Sequence, residues 1–302
     1  MDTIQRTSII SFPGLGITGL NPPASFEIFG KTIYFYGVLI AIGFLAGIWY
    51  CSKSAKKYRL AEDDVYDAVI WMIPAAIIGA RIYYVLFRLD YYLAHPDEII
   101  AVWEGGLAIY GGVILSILVI WIVCRKKKIH FAAMIDCLVS GLLIGQIIGR
   151  WGNFMNREAF GAETEIFCRM GLTNTAGVTI YVHPTFLYES LWNLIGLIYI
   201  TMFVNKGKRR WDGQIFCMYL LWYGIGRAWI EGLRSDSLYI GNTGIRVSQL
   251  LSVCLAIFGA IMLYVNRKKS FSEEIAEEEQ TDSVPEEPEI SVVSDSDSEN
   301  AE

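Results

Sequence analysis

Residues 131–149 read FAAMIDCLVSGLLIGQIIG, nineteen residues with a single ionisable side chain, Asp136. At a rise of ~1.5 Å per residue a helix of that length reaches about 28 Å, close to the hydrocarbon thickness of a bilayer. A helix apolar on nearly every face has no solvent-facing stripe, so it belongs in a membrane rather than on a soluble core. Working outward, six more runs read the same way: 33–51, 65–87, 106–124, 186–204, 213–232 and 246–265. The expected fold class is therefore an all-α polytopic membrane protein with seven transmembrane helices. Composition agrees, since 54% of the 302 residues are hydrophobic and 19% charged, against roughly 45–50% and 25% in soluble domains.

Charge placement orients these spans. Lys53, Lys56, Lys57 and Arg59 follow the first, and Arg125, Lys126, Lys127 and Lys128 the third. Lys206, Lys208, Arg209 and Arg210 follow the fifth, and Arg267, Lys268 and Lys269 the seventh. Every second loop is basic, which by the positive-inside rule puts the N-terminus outside and the C-terminus in the cytoplasm. The net charge of −6 hides this pattern. Residues 271–302 hold 13 acidic and no basic residues, and without them the body carries +7.

Three regions follow. Residues 1–32 contain Gly14, Gly16, Pro22 and Pro23 and no continuous apolar core, so they read as an interfacial segment rather than a signal peptide. Residues 33–265 form the seven-span catalytic domain. Its longest outside loop, 150–185, carries the β-like stretch 177–182 and should fold as a small extracytoplasmic head. Residues 266–302 end in a Glu-, Ser- and Pro-rich tail, expected to be disordered and cytoplasmic. The six cysteines form no CxxC pair, and all but Cys168 sit in or beside apolar runs, as packing residues do. No metal-ligand spacing, cofactor motif or nucleic-acid footprint is present.

Ionisable and polar groups at membrane depth are costly and mark function. Arg81 lies 16 residues into the second span, ~24 Å from its inner end, and Arg227 lies 14 residues into the sixth, ~21 Å out. Tyr36, Tyr110, Gln146, Arg150, Tyr188 and Glu189 occupy the same outer level. Asp67 and Asp136 lie near inner ends, where solvated interface positions account for them. In the sixth span Tyr223, Arg227, Glu231 and Arg234 fall at i, i+4, i+8 and i+11, within an arc of ~80°. Two guanidinium groups with a carboxylate between them suit an anion site, with Glu231 holding the arginines. They equally suit a structural ion-pair ladder.

Three further stretches share that outer level. GRWGNFMNREAFG at 149–161 combines glycines, for close backbone approach, with Asn donors and acceptors; a polar helix cap would use the same residues. GGLAIYGG at 105–112 brackets Tyr110 with glycine pairs, either as part of a site or for close helix packing. HPTFLYE at 183–189 opens the fifth span, where Pro184 suits a helix start and His183 a cap.

Together these motifs resemble the bacterial prolipoprotein diacylglyceryl transferase family. YG at 36–37, GAR at 79–81, GGLAIYGG, the 149–161 signature, HPTFLYE and YGIGRAWIEGLR at 223–234 occur in the family's order, over about residues 25–265. The resemblance implies a bacterial plasma-membrane transferase, with its active site on the extracytoplasmic side. It would move the diacylglyceryl group of phosphatidylglycerol to the lipobox cysteine of a preprolipoprotein. The products would be a thioether and glycerol phosphate, in the first step of lipoprotein maturation. The family's essential arginines fall on Arg150 and Arg227, and supporting positions on Tyr36, Asn153, Glu158, Gly161, Tyr223, Glu231 and Arg234. Many members carry a histidine, proposed as base, where this chain has Tyr110. A phenol of ordinary pKa near 10 serves a thiol of about 8.5 poorly, unless arginines lower it.

The expected catalytic set is Arg150, Arg227 and Tyr110. Substrate binding is expected at Arg150, Arg227, Tyr36, Arg81, Asn153, Asn156, Glu158, Gly161, His183, Tyr188, Glu189, Tyr223, Glu231 and Arg234. The expected partners are phosphatidylglycerol, the lipobox peptide and membrane lipids, with no metal, cofactor or nucleic acid. Three other classes are weighed on the residues alone, one being another lipid-headgroup enzyme such as a phosphatase, which would form no thioether on a lipobox peptide. An anion transporter would use the outer arginines, though no comparable polar path reaches the inner face. A seven-span retinal protein would need a lysine in 246–265, and none occurs.

Overall fold

The computed structural model describes residues 8–235, 239 and 243–271. Residues 1–7 of the expected interfacial segment and 272–302 of the expected tail lie outside the described residues. Eight α-helices carry the fold: α1 (Phe35–Ser54), α2 (Glu62–Leu86), the short α3 (Leu89–Ala94), α4 (Ile109–Lys127), α5 (Phe131–Asn156), α6 (Thr185–Asn205), α7 (Gln214–Leu233) and α8 (Val247–Val265). Six of them, all but α3 and α7, are long and apolar enough to cross a membrane. The remaining expected span, 213–232, is α7. It has the required length, but Gln214, Arg227 and Glu231 hold its hydropathy below that of the six.

Between apolar helices no water is left to expel, so close packing through small residues holds them together. On α1 and α5, a Cβ added to Gly47 would lie 2.8 Å from the Gly141 carbonyl oxygen. Beside them the Cys51 thiol donates to the Cys137 carbonyl at 3.2 Å, and Cys137 returns a bond to Cys51 at 3.5 Å. Gly79 of α2 and Gly111 of α4 pack backbone to backbone, and any side chain on either would collide with the other's carbonyl. Gly111 and Gly112 therefore serve helix packing.

The all-α expectation needs correction at one end of the bundle. A four-stranded antiparallel sheet in the order β2-β1-β5-β6 forms there from β1 (Ile9–Phe12), β2 (Ile17–Leu20), β5 (Met170–Thr173) and β6 (Thr179–Val182). The segment between α5 and α6, 157–184, contributes β5 and β6 where a head was expected, and the N-terminal segment pairs with it, Ile9 opposite Thr173 and Ser11 opposite Gly171. A lone hairpin is marginal, and β1 supplies the third strand that sustains it. Ile10 and Phe12 of β1 close a small core with Met170, Leu172, Val182 and Phe186. A second hairpin, β3 (Ser25–Ile28) and β4 (Lys31–Tyr34), turns at Phe29-Gly30, both at positive φ, and feeds α1.

The opposite end also departs from expectation. Asp136 is fully buried, not solvated. One oxygen accepts from Arg209 Nε at 3.0 Å and the Gly213 amide at 2.9 Å, the other from the Phe216 amide at 2.8 Å. It caps the otherwise unsatisfied N-terminus of α7 from another helix, which is why a carboxylate is tolerated there. Asp67 behaves as expected, half exposed and paired with Lys127 at 2.5 Å.

Candidate active site

Three elements meet at the head end: the last turns of α5, the first turns of α6 and the second half of α7. Their register is set by a reciprocal aromatic clasp. Trp192 and Trp222 stack at 4.6 Å, and each indole N–H donates to the other's backbone carbonyl at 2.9 Å. The rings can lie flat because Gly226 faces Trp192 and Gly196 faces Trp222. One turn from this clasp are Glu189 on α6 and Arg227 on α7. A second aromatic group, Trp151, Phe154 and Phe186, seats α5 on α6, and Trp151 donates to Ser190 at 3.2 Å.

These contacts assemble a chain of alternating charges. Arg150 meets Glu189 at 2.5 Å. Arg227 meets Glu189 at 2.6 Å with one nitrogen and Glu231 at 2.7 Å with another. Arg234 stands 3.9 Å from Glu189. The hub is therefore Glu189, touched by three arginines from α5, α7 and the end of α7, while Glu231 pairs with Arg227. Glu231 holds Arg227 as its spacing suggested, and Glu189 adds a second carboxylate. The i+4 spacing within α7 was visible in the sequence, whereas Glu189 approaches from another helix.

Burial is uneven within the cluster. The carboxylate side chains are 4% and 3% exposed, the guanidinium side chains 22%, 15% and 12% for Arg150, Arg227 and Arg234. The acids lie behind and the bases keep an open face. Three arginines against two glutamates leave one net positive charge at the edge of low-dielectric surroundings, where an anion is strongly attracted.

The 149–161 stretch wraps the end of α5 around this cluster. Arg150 donates to Asn153 at 3.4 Å, and Asn153 and Asn156 donate to one oxygen of Glu158 at 3.0 and 3.3 Å. The Asn156 carbonyl oxygen is buried with no hydrogen-bond partner among the described residues. Gly152 lies against the Tyr36 ring, where a Cβ would come within 2.6 Å. Gly161 lies against His183 and the Leu233 carbonyl. Around it the Gly161 amide donates to His183 at 2.9 Å and the Ala162 amide to Leu233 at 2.7 Å. That short ladder fastens the head to the end of α7. His183 places Nδ1 3.3 Å from the Tyr188 hydroxyl, which also lies 3.5 Å from Cys168 Sγ. Burial pushes the His183 imidazole below its ordinary pKa.

Tyr223 is half-buried against Tyr219, 5.4 Å away, within electrostatic reach of Arg227, Glu189, Arg150 and Tyr110. Tyr110, 41% exposed, thus borders the cluster from α4. Arg81 does not join it. Its guanidinium donates to the carbonyls of Ile99, Gly105, Gly106 and Glu98 at 2.8, 2.7, 3.1 and 2.5 Å, and lies over the Tyr92 ring. Four of its five N–H groups hold the loop that leads into Tyr110, so the expected substrate contact becomes a loop clamp.

Residues 23–265, which carry every one of these groups, match the family described as prolipoprotein diacylglyceryl transferase. The chain belongs to that family. A phosphatidylglycerol--prolipoprotein diacylglyceryl transferase of Finegoldia magna is 42% identical over 245 residues, covering 81% of this chain and 96% of the relative. One of the same name from Lactobacillus johnsonii is 43% identical over 257 residues, covering 83% and 91%. Another, from Streptococcus pyogenes, is 42% identical over 240 residues, covering 78% and 92%. Membership in a diacylglyceryl transferase family, with six helices apolar enough to span, makes the chain a multi-pass membrane transferase.

Three contacts of this prolipoprotein diacylglyceryl transferase family member escaped the sequence reading. Arg246, before α8, donates to the Glu231 carbonyl. Arg157, only 1% exposed and at φ 52°, donates to Ser8 O at 2.9 Å, Met155 O at 2.8 Å and Asn21 at 2.8 Å, tying the N-terminal segment to α5. The tryptophan clasp is the third, and its paired W-x3-G spacing at 192–196 and 222–226 was the available signal.

Proposed function

We propose that this transferase moves the diacylglyceryl group of phosphatidylglycerol to the lipobox cysteine thiol of a preprolipoprotein, as the names of its relatives describe for them. The observation that carries this reading is the Arg150–Glu189–Arg227–Glu231 chain, with buried acids and open guanidinium faces. A phosphodiester headgroup is the anion that such a face suits. The cysteine sulfur, as thiolate, attacks the glycerol carbon that bears the phosphate. A C–S bond forms, the C–O bond to phosphate breaks, and the oxygen keeps the electron pair as glycerol phosphate leaves. Charge grows on the phosphate oxygens in that step, so fixed guanidinium groups stabilise the transition state more than the ground state.

In this reading Arg150 and Arg227 hold the phosphate, and Glu189, Glu231 and Arg234 aim them. Asn153, Asn156, Glu158 and Gly161 shape the pocket, with Tyr36, Tyr110, Tyr223, His183 and Tyr188 around it. Arg81 acts through the loop it clamps. The chain crosses the bacterial plasma membrane seven times, with α7 as the sixth span. The head faces the extracytoplasmic side, because the four basic clusters lie at the other helix ends. Residues 8–32 belong with the head, 33–265 form the catalytic domain, and 266–302 extend into the cytoplasm. The deciding experiment incubates the purified protein with phosphatidylglycerol and a lipobox peptide and weighs the peptide. A diacylglyceryl mass gain on cysteine is expected, and an unmodified peptide overturns the reading.

A further inference from the structure

Thiol transfer leaves a proton to be placed, and the arginine cluster offers nowhere to put it. Both oxygens of Glu189 and one of Glu231 lie against guanidinium groups, which favour the ionised carboxylates over protonated ones. Of the three histidines, His130 pairs with Asp212 at the opposite end of the bundle at 2.7 Å, and His95 stacks on Tyr91 at 4.5 Å in the loop after α2. His183 alone borders the site. Its backbone is one step of a three-chain ladder, 183–161–234, that ends on Arg234, and neighbouring chains in such a ladder lie ~4.8 Å apart. Its partner Tyr188 immediately precedes Glu189 and packs on Trp229 at 6.0 Å, two residues past Arg227. The Tyr188 oxygen already has a thiol beside it, Cys168 Sγ at 3.5 Å, so sulfur fits at that position.

We propose that His183, working through the Tyr188 hydroxyl, is the proton acceptor for the substrate thiol. The inference rests on the transferase reading above. The S–H bond breaks as its proton passes to the Tyr188 oxygen, while the Tyr188 proton passes to Nδ1 of His183. Sulfur keeps the electron pair with which it attacks carbon. The imidazolium then returns the proton to the departing phosphate monoester or to water, and Tyr188 ends as it began. Tyr188 from α6 faces the imidazole and Cys168, from the loop before β5, lies on the Tyr188 hydroxyl, while Glu163 and Arg234 occupy neighbouring backbone bridges, to Val182 and Gly161. Burial lowers the pKa of the ring, which favours the neutral form that can accept.

The test follows peptide lipidation against pH for the purified wild-type protein, His183→Gln, Tyr188→Phe and Arg227→Lys, with and without added imidazole. A general base contributes about 10²–10⁴-fold. His183→Gln should lose at least 10²-fold at pH 7, recover as pH rises toward the thiol pKa near 8.5, and gain rate from imidazole. Tyr188→Phe, which keeps the ring packing, should show the same pH-dependent loss. Arg227→Lys should lose activity equally at every pH and ignore imidazole. A His183→Gln enzyme with wild-type rate, or with a loss independent of pH and imidazole, overturns the proposal. Should His183→Gln fail to fold, an unchanged profile for Tyr188→Phe overturns it. A wild-type protein that lipidates no peptide at any pH instead overturns the transferase reading itself.

Discussion

Two ion clusters lie at opposite ends of this helix bundle, built from the same residue types and differently finished. At the α7 N-terminus, Asp136 is fully buried and Arg209 nearly so, and the carboxylate accepts two backbone amides besides the guanidinium. Asp212 gathers Arg209, Arg59 and His130 around it. Leaving aside His130, its charges balance; Asp136, Asp212 and Arg209 are buried at its centre, while Arg59 stays 48% exposed. At the head end the acids are as deeply buried, yet Arg150 keeps 22% of its side chain exposed and one positive charge is left over. The neutral cluster ties helix ends together; the one with a positive charge left over is the one to which we assign the anionic substrate.

That contrast breaks most visibly at Arg150 and Arg227. Replacing either by Ala removes a charge-stabilising donor, worth about 3–4 kcal/mol or 10²–10³-fold in rate, and leaves Glu189 with two of its three arginines. Lipidation should fall at least that far while the detergent-solubilised protein keeps most of its melting temperature. A retained rate in both variants sinks the anion-site role. Asp136→Ala should do the reverse. Arg209 keeps Asp212, but the Gly213 and Phe216 amides lose their acceptor, at about 1–3 kcal/mol for each buried group left unpaired, read as a lowered melting temperature, with near-normal rate per folded molecule. A drop in rate with unchanged melting would make the two clusters one system.

Smaller effects sharpen the comparison. Glu231→Gln leaves Arg227 anchored by Glu189, so about tenfold is expected in kcat, with less change in apparent KM, than the loss at Arg150. Trp192→Phe keeps a ring in the clasp but removes one indole bond, worth about 1 kcal/mol. Thermal unfolding and rate should both shift modestly, because the clasp sets Glu189 against Arg227. At the bottom of the scale, Lys127→Ala removes partly exposed pairs with Asp64 and Asp67, and no measurable change in stability is expected.

Legibility followed locality. The spans and the alternation of basic loops could be read directly, because both depend on short windows of apolar and charged residues. The Tyr223–Arg234 face could be read because helical periodicity alone brings i and i+4 together. Arg81 could not: its depth matched that of the other arginines, and only the loop folding back over α2 shows its N–H groups committed to carbonyls. Nor could the fate of Asp136, since a carboxylate near a helix end reads the same whether water or a distant helix N-terminus receives it. The strand Ile9–Phe12 is too short to show an alternation that excludes other readings, and its partner lies some 160 residues on.

By itself the sequence determined a membrane-spanning helical chain, an orientation rule and a set of residues sharing one level, because hydrophobic run length and local periodicity are properties of contiguous sequence. Tertiary structure alone decided that Glu189 is the hub, that Arg81 holds a loop and that the N-terminal segment completes the head. Each of those outcomes depends on which groups meet across helices, and such meetings are settled by glycine contacts, an indole clasp and buried hydrogen bonds between residues distant in the chain.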